Sequence, residues 1–233
     1  MRVTISVYTE IKDYTELANI MKFSHFPINQ CPDERFSKLA GRKAWNGLPA
    51  AVRKRFGKRL QGGVSVTYQG IVMSMRMNLA GRILAHATRI IGAPLPYDLS
   101  SINQPAVVTV TEDIAGSGQF WIRQYGRKTG FPQVVHSSKR FSGPTGLEEY
   151  IGYGIGMALN VCVDGKDLLF KSDHYFVQIL GQRMRIPRFF SPGSLVIGHH
   201  DIGDGQFRFS LDLRSKLFGQ MIYQDAIFND AKE

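Results

Sequence analysis

Trp121, Arg123 and Tyr125 alternate along the stretch QFWIRQY, and Glu149 leads the alternation Ile151, Tyr153, Ile155, Met157, Leu159. Every second side chain of an extended chain points the same way. The guanidinium and the carboxylate therefore each share a face with aromatic and aliphatic groups. A carboxylate on such a face must find a cation or keep its proton. Arg123 is the nearest cation by strand order. Two chemistries fit these residues: a buried ion pair that sets strand register, or a polar anchor for the head of an otherwise apolar ligand. His174, in KSDHYFVQIL, is a further candidate for the anchor. Both phases of its strand are almost equally apolar, so its direction stays open. Trp121, Arg123, Glu149 and His174 form the candidate ligand-binding set.

Arg82, His86 and Arg89 recur at helical spacing and share one side of a helix. They are the candidate anion-contacting face; an ordinary solvated face explains the same pattern. They close a longer block, since no acidic residue stands between Glu34 and Asp98, where twelve Lys and Arg fall. The chain has 233 residues and a net charge of +10. A one-signed block attracts nucleic acid, anionic lipid or an acidic protein. Nucleic-acid sheets, however, display their aromatics on a solvent face. Here Trp121 and Tyr125 alternate with core-type residues, so no specific nucleic-acid partner is expected.

Established catalytic and metal patterns are missing. GYGIG continues as a strand and has Met157 where a dinucleotide loop needs its third glycine. GRKTG has Trp121 where a phosphate loop needs its first glycine. His199-His200 and Glu148-Glu149 are neighbours on strands, so each pair splits across two faces. Cys31 and Cys162 are too few for a disulfide framework or a zinc cluster. No cofactor, metal site or catalytic group is expected. The amino-terminal MRVTISVYTEIKDY lacks the apolar run of a signal peptide, and no stretch nears the ~20 apolar residues of a membrane-spanning helix. A reducing, cytoplasmic home is the simplest reading.

The elements that would position these residues are mostly strands. Residues 1–34 read as an extension, with a strand-like RVTISVY, a helix around 13–22 and the loop FPINQCPDE. Residues 35–233 read as a single β-rich domain. Residues 35–46 suit a helix, and a second follows Pro49 and stops at Gly57. Residues 78–91 form the clearest helix, with Asn78 as N-cap, Gly92 as stop, and Leu79, Ile83, Leu84, Ala87, Ile90 and Ile91 on its apolar side. From about residue 105 the period changes to two, and turns such as Asp164-Gly165 and Asp204-Gly205 separate successive strands. LEEYIGYGIGMALNVCV reads as one long strand, with Gly152, Gly154 and Gly156 on one face. Arg127, Lys128, Lys139 and Arg140 read as lying in or beside loops. The fold class is α+β but mostly β: a curved antiparallel meander or partly closed barrel, with N-terminal helices packed at one side.

The segments AWNGLPAAVRKRFGKRLQGGVSVTYQG, GLEEYIGYGIGMAL, VDGKDLLF, GQRMRIPRFFSPGS and GQFRFSLDL resemble the bacterial domain of unknown function 4166 family, over roughly residues 35–228. That family often accompanies a saccharopine-dehydrogenase-like or epimerase-like NAD(P)-binding domain. The resemblance thus implies a separate NAD(P)-dependent oxidoreductase, supplied in trans, as one class of partner. Three functions remain open. The leading one is a β-cavity that binds a hydrophobic, lipid-like or amphipathic small molecule. The others are an accessory partner of such an oxidoreductase, and a basic module for nucleic acid or anionic membrane.

Overall fold

Alternating apolar residues joined by short turns leave neighbouring strands only antiparallel pairing. A computed structural model of the protein describes residues 32–231. The expectations for RVTISVY, for the helix around 13–22, for Cys31 and for the start of FPINQCPDE lie outside the described residues.

The strands run in chain order as β1 (Ser65–Met77), β2 (Pro105–Asp113), β3 (Gly118–Tyr125), β4 (Gln133–Arg140), β5 (Glu148–Gly152), β6 (Ile155–Asp164), β7 (Asp167–Ile179), β8 (Gln182–Arg185), β9 (Ser194–Gly203), β10 (Gln206–Ser215) and β11 (Gly219–Asn229). Each pairs with its sequence neighbour, except that β9 returns to β7 and β8 hangs from β7 as a side hairpin. β1 pairs with β11, and so the meander closes into a ten-strand antiparallel barrel. Full closure leaves the ring no free edge. Ten strands also leave a wider interior than the eight that side chains alone can fill.

Two of these strands have no clean counterpart in the alternation. β11 was not evident from period, and β1 runs on through Gly70 to Met77. The long strand expected over LEEYIGYGIGMALNVCV is in fact a hairpin, β5 to β6. Gly152, Tyr153 and Gly154 all take positive φ (130°, 49° and 74°), which reverses the chain there. Tyr153 is therefore 80% exposed at the turn instead of facing the core. The glycines also admit close neighbours. A Cβ on Gly152 would stand 2.6 Å from the Ile91 carbonyl oxygen, and one on Gly154 would stand 2.2 Å from that of Gln178. Glu149 nonetheless keeps the phase of Met157, because the two are directly paired across the hairpin.

One end of the barrel is closed by three short helices, α1 (Arg35–Ala40), α2 (Arg42–Asn46) and α3 (Ala50–Phe56). The single helix expected over 35–46 breaks at Gly41, whose φ is 83°. Phe36, Val52 and Phe56 are buried from these helices. Arg35 donates to the carbonyl of Ser117 in the β2–β3 turn, and Arg55 pairs with Asp230 beyond β11. At the other end lies α4 (Leu79–Ala87), continued as a 3₁₀ turn, Thr88–Ile91. The Gly81 amide donates to Asn78 Oδ1 at 2.8 Å, the expected N-cap, and Gly92 ends the run with φ 108°. The buried side of α4 is not the expected one. Gly81 and Ala85 are buried against β11, while Leu79, Ile83 and Ile90 face outward. A Cβ on Gly81 would meet the Met221 carbonyl at 2.0 Å, so close helix–strand contact selects the small residues for the packed face. The basic block from Arg35 to Arg89 is accordingly divided between the two ends of the barrel.

Candidate functional site

β3, β4 and β5 turn Trp121, Arg123 and Tyr125, then Val135, Ser137 and Lys139, then Glu149, toward the barrel interior. The register sets Arg123 opposite Val135, Trp121 opposite Ser137, and Lys139 opposite Glu149. The three charged side chains meet there. Lys139 Nζ lies 3.0 Å from Glu149 Oε2, and Arg123 Nη2 lies 3.5 Å from Glu149 Oε1. The Ser137 hydroxyl donates to Glu149 Oε1 at 2.5 Å, and Arg123 Nη1 donates to Ser137 Oγ at 3.3 Å. All four side chains are buried.

Burial by itself would raise the Glu149 carboxyl; the Lys139 ammonium and the Arg123 guanidinium outweigh it and hold the group well below the usual carboxylate range. Lys139 moves the other way from most paired lysines. Desolvation lowers it to about 8, with Glu149 opposing that shift and Arg123 adding to it. The cluster carries two cations and one carboxylate. Arg123 Nε has no hydrogen-bond partner although it is buried.

Beyond this cluster the interior divides. Toward the helical end, Phe56 of α3 packs among Trp121, Phe170 and His199, whose ring lies 4.8 Å from that of Phe56. Desolvation, then Arg55, Lys139 and Arg123, depress His199 far below its ordinary value, so this histidine is neutral. Toward the α4 end the interior is open. A cavity of about 200 Å³ has Arg123, Ser137 and Glu149 at its polar floor and Tyr125, Met157, Ile197 and Leu211 among its walls. Ile91, Pro94, Phe190 and Pro192 come from the connections at the α4 end.

Of the four residues expected at a ligand site, Arg123 and Glu149 line this cavity. Trp121 faces inward but belongs to the aromatic plug, where it lines only a ~10 Å³ void. His174 lies on the outer wall, with Nδ1 2.7 Å from Asp173 Oδ2. A register shift between Ala158 and Leu159 decides the phase on β7, and Tyr175 takes the inward position. Lys139 corrects a further expectation, being in a strand and fully buried instead of beside a loop. Its alternation with Gln133, Val135 and Ser137 carried that information. Arg140, the last residue of β4, points outward and pairs with Asp113. Glu148 and His200, partners of Glu149 and His199 in the adjacent pairs, also point outward. Glu148 meets Arg183 and Ser142, and His200 meets Asp167 and Ser210. Arg82, His86 and Arg89 are exposed on α4 and its 3₁₀ extension, and Arg89 stacks 4.9 Å above Tyr97. Among the described residues no three His, Cys, Asp or Glu side chains gather as metal ligands, and no helix is long and apolar enough to cross a membrane.

The family model for Domain of unknown function (DUF4166) matches residues 48–228, most of the barrel and its plug. The chain belongs to the DUF4166 family. No curated protein and no solved structure matches it. In this DUF4166 member the matched region spans every strand of the barrel and all three residues of the charged cluster.

Proposed function

We propose that the barrel binds a single-chain amphiphile with an anionic head, seated tail-outward in the cavity with the head on Arg123. The observation that carries this reading is the floor: two buried cations against one carboxylate, with an unpartnered Arg123 Nε in a residue that lines the cavity. A single anion there would balance the excess charge and occupy the free donor, and such charge-assisted bonds are about twice as strong as neutral ones. The walls supply the apolar remainder of the match. At about 200 Å³ the cavity is smaller than the ~300–1,000 Å³ usual for small-molecule pockets, which suits a slim chain better than a dinucleotide.

Titration of dansyl-undecanoic acid and of its methyl ester tests the proposal. The acid is expected to bind one per chain and more tightly than the ester. Arg123→Met should weaken the acid roughly 10–100-fold, the equivalent of one charge-assisted hydrogen bond, and leave the ester nearly unchanged. Ile155→Trp, which fills the cavity from its wall, should abolish both. Equal affinity of acid and ester in the native chain would remove Arg123 as the anchor. No binding of either would sink the reading.

A further inference from the structure

The apolar residues left on the outside of the protein are not scattered. Among the described residues eighteen large hydrophobic side chains are exposed, and strand direction assigns twelve of them to the end of the barrel where the cavity opens. Ile83 and Ile90 come from α4 and its extension, Phe131 from the β3–β4 connection, Leu180 from the β7–β8 turn, Phe189 from the β8–β9 connection and Leu217 from the β10–β11 turn. Ile90 is 83% exposed, Phe189 84% and Leu180 99%. Five separate connections thus present exposed aliphatic or aromatic side chains at the same end of the barrel. Among the described residues the helical end shows Ile114, Phe120 and Ile202. Monomeric soluble proteins rarely gather exposed apolar groups in this way without a partner for them.

Charge completes the pattern. The connections at the cavity end contain Arg82, Arg89, Arg127, Lys128, Arg188 and Lys216, and one acidic residue, Asp98, which is already paired with Arg127. The helical end is also basic, with cations on α1–α3, at Lys58 and Arg59 after α3 and at Lys166 in the β6–β7 turn, but it lacks the gathered apolar tips. Protruding apolar side chains interspersed with Lys and Arg are the chemistry of an anionic lipid surface: the tips enter the acyl boundary and the cations stay among the head groups. An acidic protein groove would match the charges, but it would need five independent connections to fit one contour. A fluid bilayer needs only that they reach a common level.

We infer that the cavity end of the barrel, with Arg82, His86 and Arg89 on its rim, docks on an anionic membrane surface. His86 lies on the exposed side of α4 between the two arginines. Docking in this orientation faces the cavity toward the bilayer. The inference goes beyond the ligand reading and does not depend on it.

Flotation of the full chain with vesicles tests it. Phosphatidylcholine vesicles containing about one-third phosphatidylglycerol are compared with phosphatidylcholine alone. Binding is expected only to the anionic vesicles and should weaken as salt rises. Arg89→Gln and Arg188→Gln should each reduce partitioning about fivefold at low salt, from the roughly 1 kcal/mol that each basic residue contributes near such a surface. Ile90→Ser, Leu180→Ser and Phe189→Ser combined should abolish it, and their exposure keeps the fold out of the result. Lys38→Gln with Arg42→Gln, at the helical end, should change nothing. Absence of flotation at low salt overturns the inference, as does an equal loss in the Lys38/Arg42 variant. So does a chain that stays off vesicles while self-associating through the apolar tips, since a second copy then covers them. Dansyl-undecanoic acid binding in vesicle-free buffer reads the cavity separately, so either result stands without the other.

Discussion

Removing the Glu149 charge should damage this protein more than removing either of its partners. At an effective dielectric of about 20, a contact of 3.0 Å to Lys139 is worth about 5.5 kcal/mol and one of 3.5 Å to Arg123 about 4.7 kcal/mol, before desolvation is subtracted. Glu149→Gln deletes both and leaves two buried cations facing each other. The expected net cost is about 3–5 kcal/mol, or a fall in Tm of roughly 6–20 °C for a chain of this size. Arg123→Met leaves the closer Lys139–Glu149 pair intact and relieves a repulsion between cations, so its cost should be clearly smaller. Lys139→Met should fall between the two, because Arg123 still faces Glu149 at the longer distance. Thermal melts at neutral pH rank the three. The pH arm follows from the depressed carboxyl. Its stabilisation is fully present above the unfolded value of about 4.3 and is lost as pH falls through the lower folded value. Glu149→Gln should therefore flatten the acid limb below about pH 4.3. A Glu149→Gln melt within 2 °C of the native chain, or an Arg123→Met variant less stable than Glu149→Gln, would refute the reasoning; the first limit is about 1 kcal/mol at this length.

His199 should control a second pH window. Burial holds its folded value well below the unfolded ~6.5, so the unfolded chain takes up a proton first. Stability should then fall by up to about 1.4 kcal/mol per pH unit below pH ~6.5. Urea titrations of His199→Phe should lack that contribution, and an unchanged slope would show that the imidazole is protonated in the fold. Gly154→Ala puts a methyl 2.2 Å from the Gln178 carbonyl oxygen at a φ of 74°. Strain of this kind costs of order 1–3 kcal/mol, so its Tm should drop measurably, whereas Gly203→Ala, with open space around it at φ 84°, should lose only the backbone part.

Alternation in the sequence determined the antiparallel character of the region after residue 105 and the inward phase of Trp121, Arg123, Glu149 and Met157. That information is local: a strand's two faces follow from a period of two, whatever its partners are. The N-cap of α4 and the stop of its 3₁₀ extension were equally legible, because Asn78 and Gly92 act on their own backbone neighbourhood. Tertiary structure decided the rest. Closure of the ring depends on β1 meeting β11 across most of the chain, a long-range contact that no local period encodes. The outward turn of His174 follows from one register shift between β6 and β7, and a one-residue slip reverses a face completely. Lys139 became the closest charged partner of Glu149 through the register of β4 on β5. The exposed side of α4 was set by close packing of Gly81 and Ala85 on β11, which overrode the larger aliphatic residues. Hydrophobic periodicity ranks the faces of an element by composition. Which face is buried depends on how near the next element can come, and only the assembled barrel supplies that distance.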